Sequence, residues 1–169
     1  MVYDISIIRP QIKIDDVKIR DQKLPQDSLR KIKKALLSLH CLEITATNIY
    51  RYQISKDNTE LNRQLIAAMC NEMTHYQDFQ LKLFEYWWRP SILRVGYWFV
   101  GFLLGSISRI MGRKAVLKVG IWVESRAVRE YARLLKEIPW DADTRKVVEK
   151  DQADEGGHIQ RWQKLLREG

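Results

Sequence analysis

The pattern of apolar and polar positions divides the chain into a short alternating start and four long helical stretches. Residues 1–24 alternate apolar and polar side chains and contain Pro10, which predicts an extended N-terminal arm. From residue 25 to residue 169, apolar side chains recur mainly at spacings of three and four, as they do along one face of a helix. The helices are predicted at about 25–54, 58–88, 114–138 and 141–167.

A Glu-x-x-His motif occurs twice, in the second and fourth predicted helices, and a single glutamate lies on the inner face of each preceding helix. Residues i and i+3 of a helix point to nearly the same side, so each motif directs a carboxylate and an imidazole into one space. Four such helices present the ligands of a carboxylate-bridged di-iron or di-manganese centre. The predicted metal ligands are Glu43, Glu72, His75, Glu124, Glu155 and His158.

The predicted turns support this ligand set. If Glu43 faces Glu72 across an antiparallel hairpin, the turn must lie near residues 57–58, where the chain is polar. The midpoint of the second hairpin falls at Pro139, which can end one helix, and Asp141 can cap the next. One Glu-x-x-His motif arises often by chance, and an isolated Glu or His usually lies on a solvated surface. Two motifs with matching turns favour a di-metal bundle.

Residues 89–113, between the second and third helices, contain an unusually apolar stretch. The uncharged run 95–107 is too short to cross a bilayer, which needs about 20 residues. Its basic and aromatic flanks are typical of a helix in the membrane interface. At 1.5 Å per residue it is also long enough to return along the bundle. We therefore predict an all-α, ferritin-like four-helix bundle with one long apolar crossover between helices 2 and 3. A buried fifth helix or a dimer interface are the alternatives for this segment.

Composition narrows the choice of partners and compartment. The 169 residues suit one domain, and the net charge of +8 fits nucleic acid or an anionic membrane surface. Because no nucleic-acid signature accompanies the charge, we expect no nucleic-acid partner. Cys41 and Cys70 indicate a reducing compartment and small core side chains rather than a disulfide. The start resembles neither a secretory signal nor a transit peptide, so we expect a peripheral membrane protein on the cytoplasmic side of the inner membrane.

Further residues are candidates for supporting the metal centre. Asp151 and Asp154 could lie outside the ligands, with Asp154 orienting a ligand histidine, although both could also be surface acids. His40 could hydrogen-bond a ligand carboxylate or pack as an ordinary core histidine. Tyr131 follows Glu124 by two helical turns, so we predict that it lines the cavity as a catalytic residue, the alternative being a core tyrosine.

Two adjacent glycines lie inside the second Glu-x-x-His motif. Gly156 and Gly157 each cost a helix about 1 kcal/mol relative to alanine. We expect this cost to be offset by a close approach of another helix or by room for a substrate.

The metal motifs, together with several other short segments, resemble one enzyme family over about residues 40–162. They are His40-x-x-Glu43, Asn48-Ile49-Tyr50, Glu72-x-x-His75, Arg89-Pro90, Gly101-Phe102-Leu103-Leu104-Gly105, Val123-Glu124, Tyr131 and Asp154-Glu155-x-x-His158. The chain resembles the demethoxyubiquinone hydroxylases, di-iron enzymes of ubiquinone synthesis. Rubrerythrins and ferritins share the metal spacing, whereas the Arg-Pro pair and the glycine-rich apolar segment are more specific. The chain departs from the family at Cys41-Leu42, where Ala-Gly is typical, and at Glu130, where histidine is usual.

The resemblance implies a function for the predicted bundle. It implies a di-iron monooxygenase that uses dioxygen to hydroxylate a membrane quinone ring in ubiquinone biosynthesis, with two iron ions, manganese being the alternative. The expected partners are a membrane lipid quinone, the membrane surface, and either a second copy of the chain or a lipid-binding protein. The electron donor is external and is not identified by the sequence. Electrons could come from a reduced nicotinamide cofactor, although no Gly-x-Gly-x-x-Gly fingerprint is present to bind it in the usual way. Alternatives are a rubrerythrin-like peroxide reductase or ferroxidase, and a divergent lipid- or quinone-binding di-metal protein.

Overall fold

Five α-helices make up most of the protein, whose computed structural model describes residues 12–20 and 24–168. They are α1 (Gln26–Gln53), α2 (Glu60–Glu85), α3 (Arg94–Ile110), α4 (Arg113–Glu137) and α5 (Ala142–Arg167). The remaining regular structure in these two ranges is a 3₁₀ turn at Ile14–Asp16, and the ranges contain no strand. The predicted all-α, ferritin-like bundle is confirmed.

Two antiparallel hairpins, α1 with α2 and α4 with α5, form the four-helix core. Thr59 begins α2 by accepting a hydrogen bond from the backbone N–H of Asn62. Asp141 begins α5 in the same way, so both predicted turns end in a capped helix. The hairpins pack with α1 against α4 and α2 against α5. Since each of these contacts is between antiparallel helices, the inner faces of all four helices meet along one axis.

The helix α3 lies outside this core and runs parallel to α1. Its start is near Thr45, and at its end the Arg109 guanidinium donates to the carbonyl of Ile54. Only Gly101, Gly105 and Ser108 of α3 are buried. An added Cβ at Gly105 would lie 2.5 Å from the carbonyl oxygen of Ile49, so the two helix backbones touch at this position.

Most of the remaining surface of α3 is apolar and exposed. Large side chains there include Val95, Trp98, Phe99, Val100, Leu103 and Ile107. The segment is therefore not a buried fifth helix of the single chain. No helix within the described residues is long and apolar enough to cross a membrane.

The buried apolar side chains form two clusters at opposite ends of the bundle. One cluster contains Leu36 and Leu39 of α1 with Phe79 of α2, and the other contains Ile49 of α1 with Trp162 of α5. Along each core helix, a buried glutamate lies between the two clusters, and α1, α2 and α5 also carry a buried histidine there. A polar layer thus separates two hydrophobic halves.

Residues 12–20, the described part of the predicted N-terminal arm, lie against one end of the bundle. The Arg20 guanidinium forms ion pairs with Glu85 at 3.2 Å, Asp141 at 2.6 Å and Asp143 at 2.8 Å. Lys82 bonds Glu85 and Asp143 at 2.9 Å each. These contacts tie the arm to α2 and α5. Residues 1–11 and 21–23 of the arm lie outside the described residues.

Candidate metal centre

The polar layer between the two hydrophobic clusters contains all six predicted ligands. Each core helix contributes a glutamate, α2 and α5 also contribute a histidine, and every one of these side chains is at most 1% exposed. Their donor atoms form two groups, within each of which the atoms lie no more than 4.8 Å apart. The groups are Glu43, Glu72, His75 and Glu155, and Glu72, Glu124, Glu155 and His158.

Glu72 and Glu155 belong to both groups, and each divides its two oxygens between the two histidines. Glu155 Oε1 lies 3.1 Å from His75 Nδ1, and its Oε2 lies 3.8 Å from His158 Nδ1. Glu72 Oε1 lies 3.0 Å from His158 Nδ1, and its Oε2 lies 3.8 Å from His75 Nδ1. This is the arrangement expected of carboxylates that bridge two metal ions.

The charges of the layer fit two divalent cations. Four buried carboxylates face two imidazoles, and burying this excess of negative charge without a counter-ion is costly. Both oxygens of Glu72 and Glu155, and Nδ1 of both histidines, also lack a hydrogen-bond partner among the described residues. Buried polar atoms are nearly always paired, so such a cluster of unpaired donors and acceptors indicates ligands for metal. Carboxylate and imidazole donors suit iron, manganese or zinc.

Burial changes the protonation of the metal-free layer. It raises the pKa of Glu72 and of Glu155 well above the ordinary carboxyl value. Burial also raises the pKa of the nearby Asp151 to about 7. Because a carboxylate must lose its proton to bind a cation, loading the centre releases protons.

Two tyrosines hold the glutamates that are not shared. The Tyr131 hydroxyl of α4 donates to Glu43 Oε1 at 2.7 Å, and the Tyr50 hydroxyl of α1 donates to Glu124 Oε1. Each bond leaves the other carboxylate oxygen, Oε2, without a hydrogen-bond partner. Glu124 Oε1 also lies 3.3 Å from His158 Nδ1. The role of Tyr50 was missed in the sequence, although it follows Glu43 by seven residues, as Tyr131 follows Glu124. Antiparallel packing of α1 on α4 pairs each tyrosine with the glutamate of the other helix.

The outer nitrogens of the ligand histidines have unlike partners. His75 Nε2 lies 3.3 Å from a carboxylate oxygen of the half-exposed Asp154. His158 Nε2 lies 3.2 Å from the amide of Asn71, which the sequence did not single out. Asp151 is fully buried nearby, at 3.9 Å from His75 Nε2. Outer partners of this kind fix the orientation of ligand rings.

His40 packs as a core histidine and does not bond a ligand carboxylate. Its Nε2 lies 3.4 Å from the amide oxygen of Gln80, and its ring lies 4.5 Å from that of Tyr76. Burial lowers the pKa of His40, which keeps the ring neutral. His40 is therefore an ordinary core side chain, the second of the two roles considered for it from the sequence.

A cavity of about 680 Å³ lies between α1, α2 and α3, and none of the six predicted ligands is among its lining residues. Ile44, Met73 and Tyr76 of its lining follow Glu43, Glu72 and His75 directly in the sequence. The full lining is Ile44, Thr47, Asn48, Arg51, Met69, Met73, Tyr76, Arg94, Val95 and Trp98. Tyr131, which we predicted to line the substrate path, is fully buried on α4 and is not part of this lining.

Two expectations about residues around the centre, those for the two glycines and for the cysteines, are altered. An added Cβ at Gly156 would meet no atom within 4 Å, and one at Gly157 would meet only the Arg161 side chain, so no helix approaches them closely. Both cysteines are free thiols, but Cys70 is exposed on α2 rather than packed in the core. Glu130 lies on the outer side of α4, where it pairs with Arg133 at 2.7 Å.

Comparison with known proteins identifies the family. Residues 30–166 match the family model described as ubiquinone biosynthesis protein COQ7. The chain belongs to this family. Membership confirms the family predicted from the sequence motifs. A curated relative in Dictyostelium discoideum, NADPH-dependent 3-demethoxyubiquinone 3-hydroxylase, mitochondrial, is 28% identical over 125 residues. The match covers 71% of this chain and 58% of the relative, so the chain spans less than two thirds of that protein.

Proposed function

We propose that the protein is a di-iron monooxygenase that hydroxylates the ring of a membrane quinone of the demethoxyubiquinone type. The observation that carries the proposal is the pair of ligand groups sharing Glu72 and Glu155. The apolar cavity supports it, because its lining includes the residues that directly follow Glu43, Glu72 and His75 in the sequence. Family membership and the relative's name support the same reaction in ubiquinone biosynthesis.

Iron is the metal that suits both the donors and the proposed reaction. Glu43 and His75 would hold one ion, Glu124 and His158 would hold the other, and Glu72 with Glu155 would bridge them. When bound, such a pair activates dioxygen for insertion into an electron-rich ring. The two flanking hydrophobic clusters exclude water from the layer, which protects a reactive centre.

The cavity would admit the quinone ring from the side of α3. Its lining includes residues that directly follow ligands in the sequence, and also Val95 and Trp98 of α3. The outer surface of α3 is apolar and exposed. A lipid tail could therefore remain in the bilayer while the ring reaches towards the metals. Arg51 and Arg94 are the charged residues of the lining and could bond the ring's oxygen substituents.

We propose an external reductant, and the sequence contains no Gly-x-Gly-x-x-Gly fingerprint that would bind a dinucleotide in the usual way. The relative is named as NADPH-dependent, so NADPH is the donor we propose to test first.

Oxygen consumption with a short-tailed, electron-rich benzoquinol tests the reaction. We expect the iron-loaded, NADPH-supplied protein to consume dioxygen faster with the quinol, and a product heavier by one oxygen atom to form. Fastest oxidation by hydrogen peroxide with an unchanged quinol would instead identify a peroxide reductase. Rapid oxidation of added ferrous iron, with no quinol product, would identify a ferroxidase. Binding of the quinol without any oxidation would leave a quinone-binding protein.

Membrane contact through α3 is a separate part of the proposal. Changing Trp98 and Phe102 together to glutamate should release the protein from anionic vesicles, because both side chains belong to the aromatic face of α3. Trp122→Glu on α4 is the matched control, since Trp122 is 48% exposed and Trp98 is 38% exposed. Equal sedimentation of wild type, double variant and control with vesicles would contradict the contact.

A further inference from the structure

The hydroxyl of Tyr50 takes part in two hydrogen bonds in a fully buried position. It donates to Glu124 Oε1 and accepts from the indole Nε1 of Trp162, at 3.1 Å. An indole nitrogen can only donate, so the phenol oxygen must be the acceptor of that bond. The single phenol proton is then directed to the carboxylate.

The indole of Trp162 is itself fixed by its surroundings. It is 1% exposed, and its ring centroid lies 5.6 Å from that of Tyr50. Gly120 of α4 faces it so closely that an added Cβ would lie 3.1 Å from both Cδ1 and Nε1 of the indole. Side chains of α1 and α5 and the backbone of α4 thus converge to hold one phenol in one orientation.

The other half of the centre lacks this support. Tyr131 donates to Glu43 in the equivalent way, with Phe79 as its aromatic neighbour at 6.0 Å. Among the described residues, the indole of Trp162 has no counterpart that donates to the Tyr131 hydroxyl. The two metal positions therefore differ in how firmly their terminal glutamate is held.

We propose that Tyr50, fixed by Trp162, is a positioning residue that makes Glu124 a one-oxygen ligand of the metal beside His158. Glu124 Oε1 accepts from the phenol and lies 3.3 Å from His158 Nδ1, while Oε2 has no hydrogen-bond partner. Because the phenol proton already occupies Oε1, Oε2 is the oxygen left free for the ion. Without the phenol, the carboxylate could rotate and offer both oxygens to the ion. The inference rests on the proposed metal centre but not on the proposed substrate.

Titration with cobalt(II) tests the role of Tyr50 without using activity. We expect Tyr50→Phe to lower the affinity for one of the two bound cobalt ions about 10- to 100-fold, as the loss of a hydrogen bond to a metal ligand typically does. The visible spectrum of that cobalt should also change, because it reports the coordination geometry. Tyr52→Phe is the matched control on the same helix, where the ring packs against Trp98 and Phe102. Wild-type affinity and spectrum for Tyr50→Phe, in protein that binds two cobalt ions, would overturn the inference.

A double-variant comparison shows whether Trp162 acts through Tyr50. Trp162→Phe should lower the affinity for the same cobalt ion. In a protein that already carries Tyr50→Phe, it should cause no further loss of affinity. An independent loss in that background would overturn the linkage. If Tyr50→Phe fails to fold, Gly120→Ala displaces the indole while leaving both bonding groups in place, and should also weaken one equivalent. Failure of the wild type to bind any cobalt, iron or manganese would instead overturn the metal centre itself.

Discussion

The contact between α3 and α1 depends on glycine, and replacing Gly105 with alanine should break it. The added methyl group would lie 2.5 Å from the Ile49 carbonyl oxygen and 2.9 Å from Tyr52 Cβ. The first of these is a backbone atom of a helix and cannot rotate away. The helices must therefore separate or α3 must shift along α1. Gly96→Ala on the same helix is the control, because its Cβ would meet no atom within 4 Å.

The expected difference between the two variants follows from two opposing effects. Alanine is a better helix former than glycine, so Gly96→Ala should raise the free energy of unfolding by about 0.5–1 kcal/mol. Gly105→Ala has the same helix advantage, but overpacking of a tight interface costs about 1–3 kcal/mol beyond it. We therefore expect the free energies of unfolding of the two variants to differ by about 1–3 kcal/mol. For a chain of this size, that corresponds to roughly 3–9 °C in Tm.

Equilibrium unfolding in guanidinium chloride, followed by far-UV circular dichroism, measures this difference. Both variants should be compared at the same metal content, since bound metal adds to stability. Equal stability of Gly105→Ala and Gly96→Ala would refute the close seating of α3 on α1. The direct contacts at the end of α3, such as the bond from Gln53 to Ser108 at 2.8 Å, would then need another explanation.

Three further predictions concern the metal centre. Glu72→Ala should remove both metal ions, because Glu72 belongs to both ligand groups, whereas Glu43→Ala should leave about one ion per chain. Elemental analysis that finds full metal content in both variants would reject the ligand assignment. Tyr131→Phe should alter turnover and weaken metal binding, yet retain two ions at saturating metal, since it removes a bond to Glu43 but no ligand; unchanged turnover and affinity would mean that the bond has no role. Gly156→Ala should raise the free energy of unfolding by up to about 1 kcal/mol with metal content unchanged, and a loss of stability in thermal unfolding would show that another group approaches this position.

The side chains that meet in the polar layer could be predicted because their signal is local. The spacing of Glu72 and His75 places two donors on one helical face whatever the neighbouring helix does. The midpoint of each hairpin then decides which residues face each other. The helix limits could also be predicted to within a few residues. A capping residue such as Asp141 bonds backbone groups two and three positions further along the chain, so its effect is visible in the sequence.

Other features depend on packing that one helix does not encode. The pairing of Tyr50 with Glu124 requires the relative rotation and register of α1 and α4. The same holds for the contact of Arg20 with Glu85, which joins segments 65 residues apart. For Gly156, the sequence shows that glycine destabilises the helix. It does not show the open space beside this residue, which depends on the packing of the other helices.

The polar layer between the two hydrophobic clusters bears on how the bundle unfolds. Each cluster packs its own side chains, and few apolar contacts can cross a layer of buried carboxylates. Without metal, the two halves are able to open at different denaturant concentrations, as separate cooperative units. Metal ions bonded to all four core helices would couple the halves into one unit. We therefore expect metal content to decide whether the protein unfolds in one transition or in two.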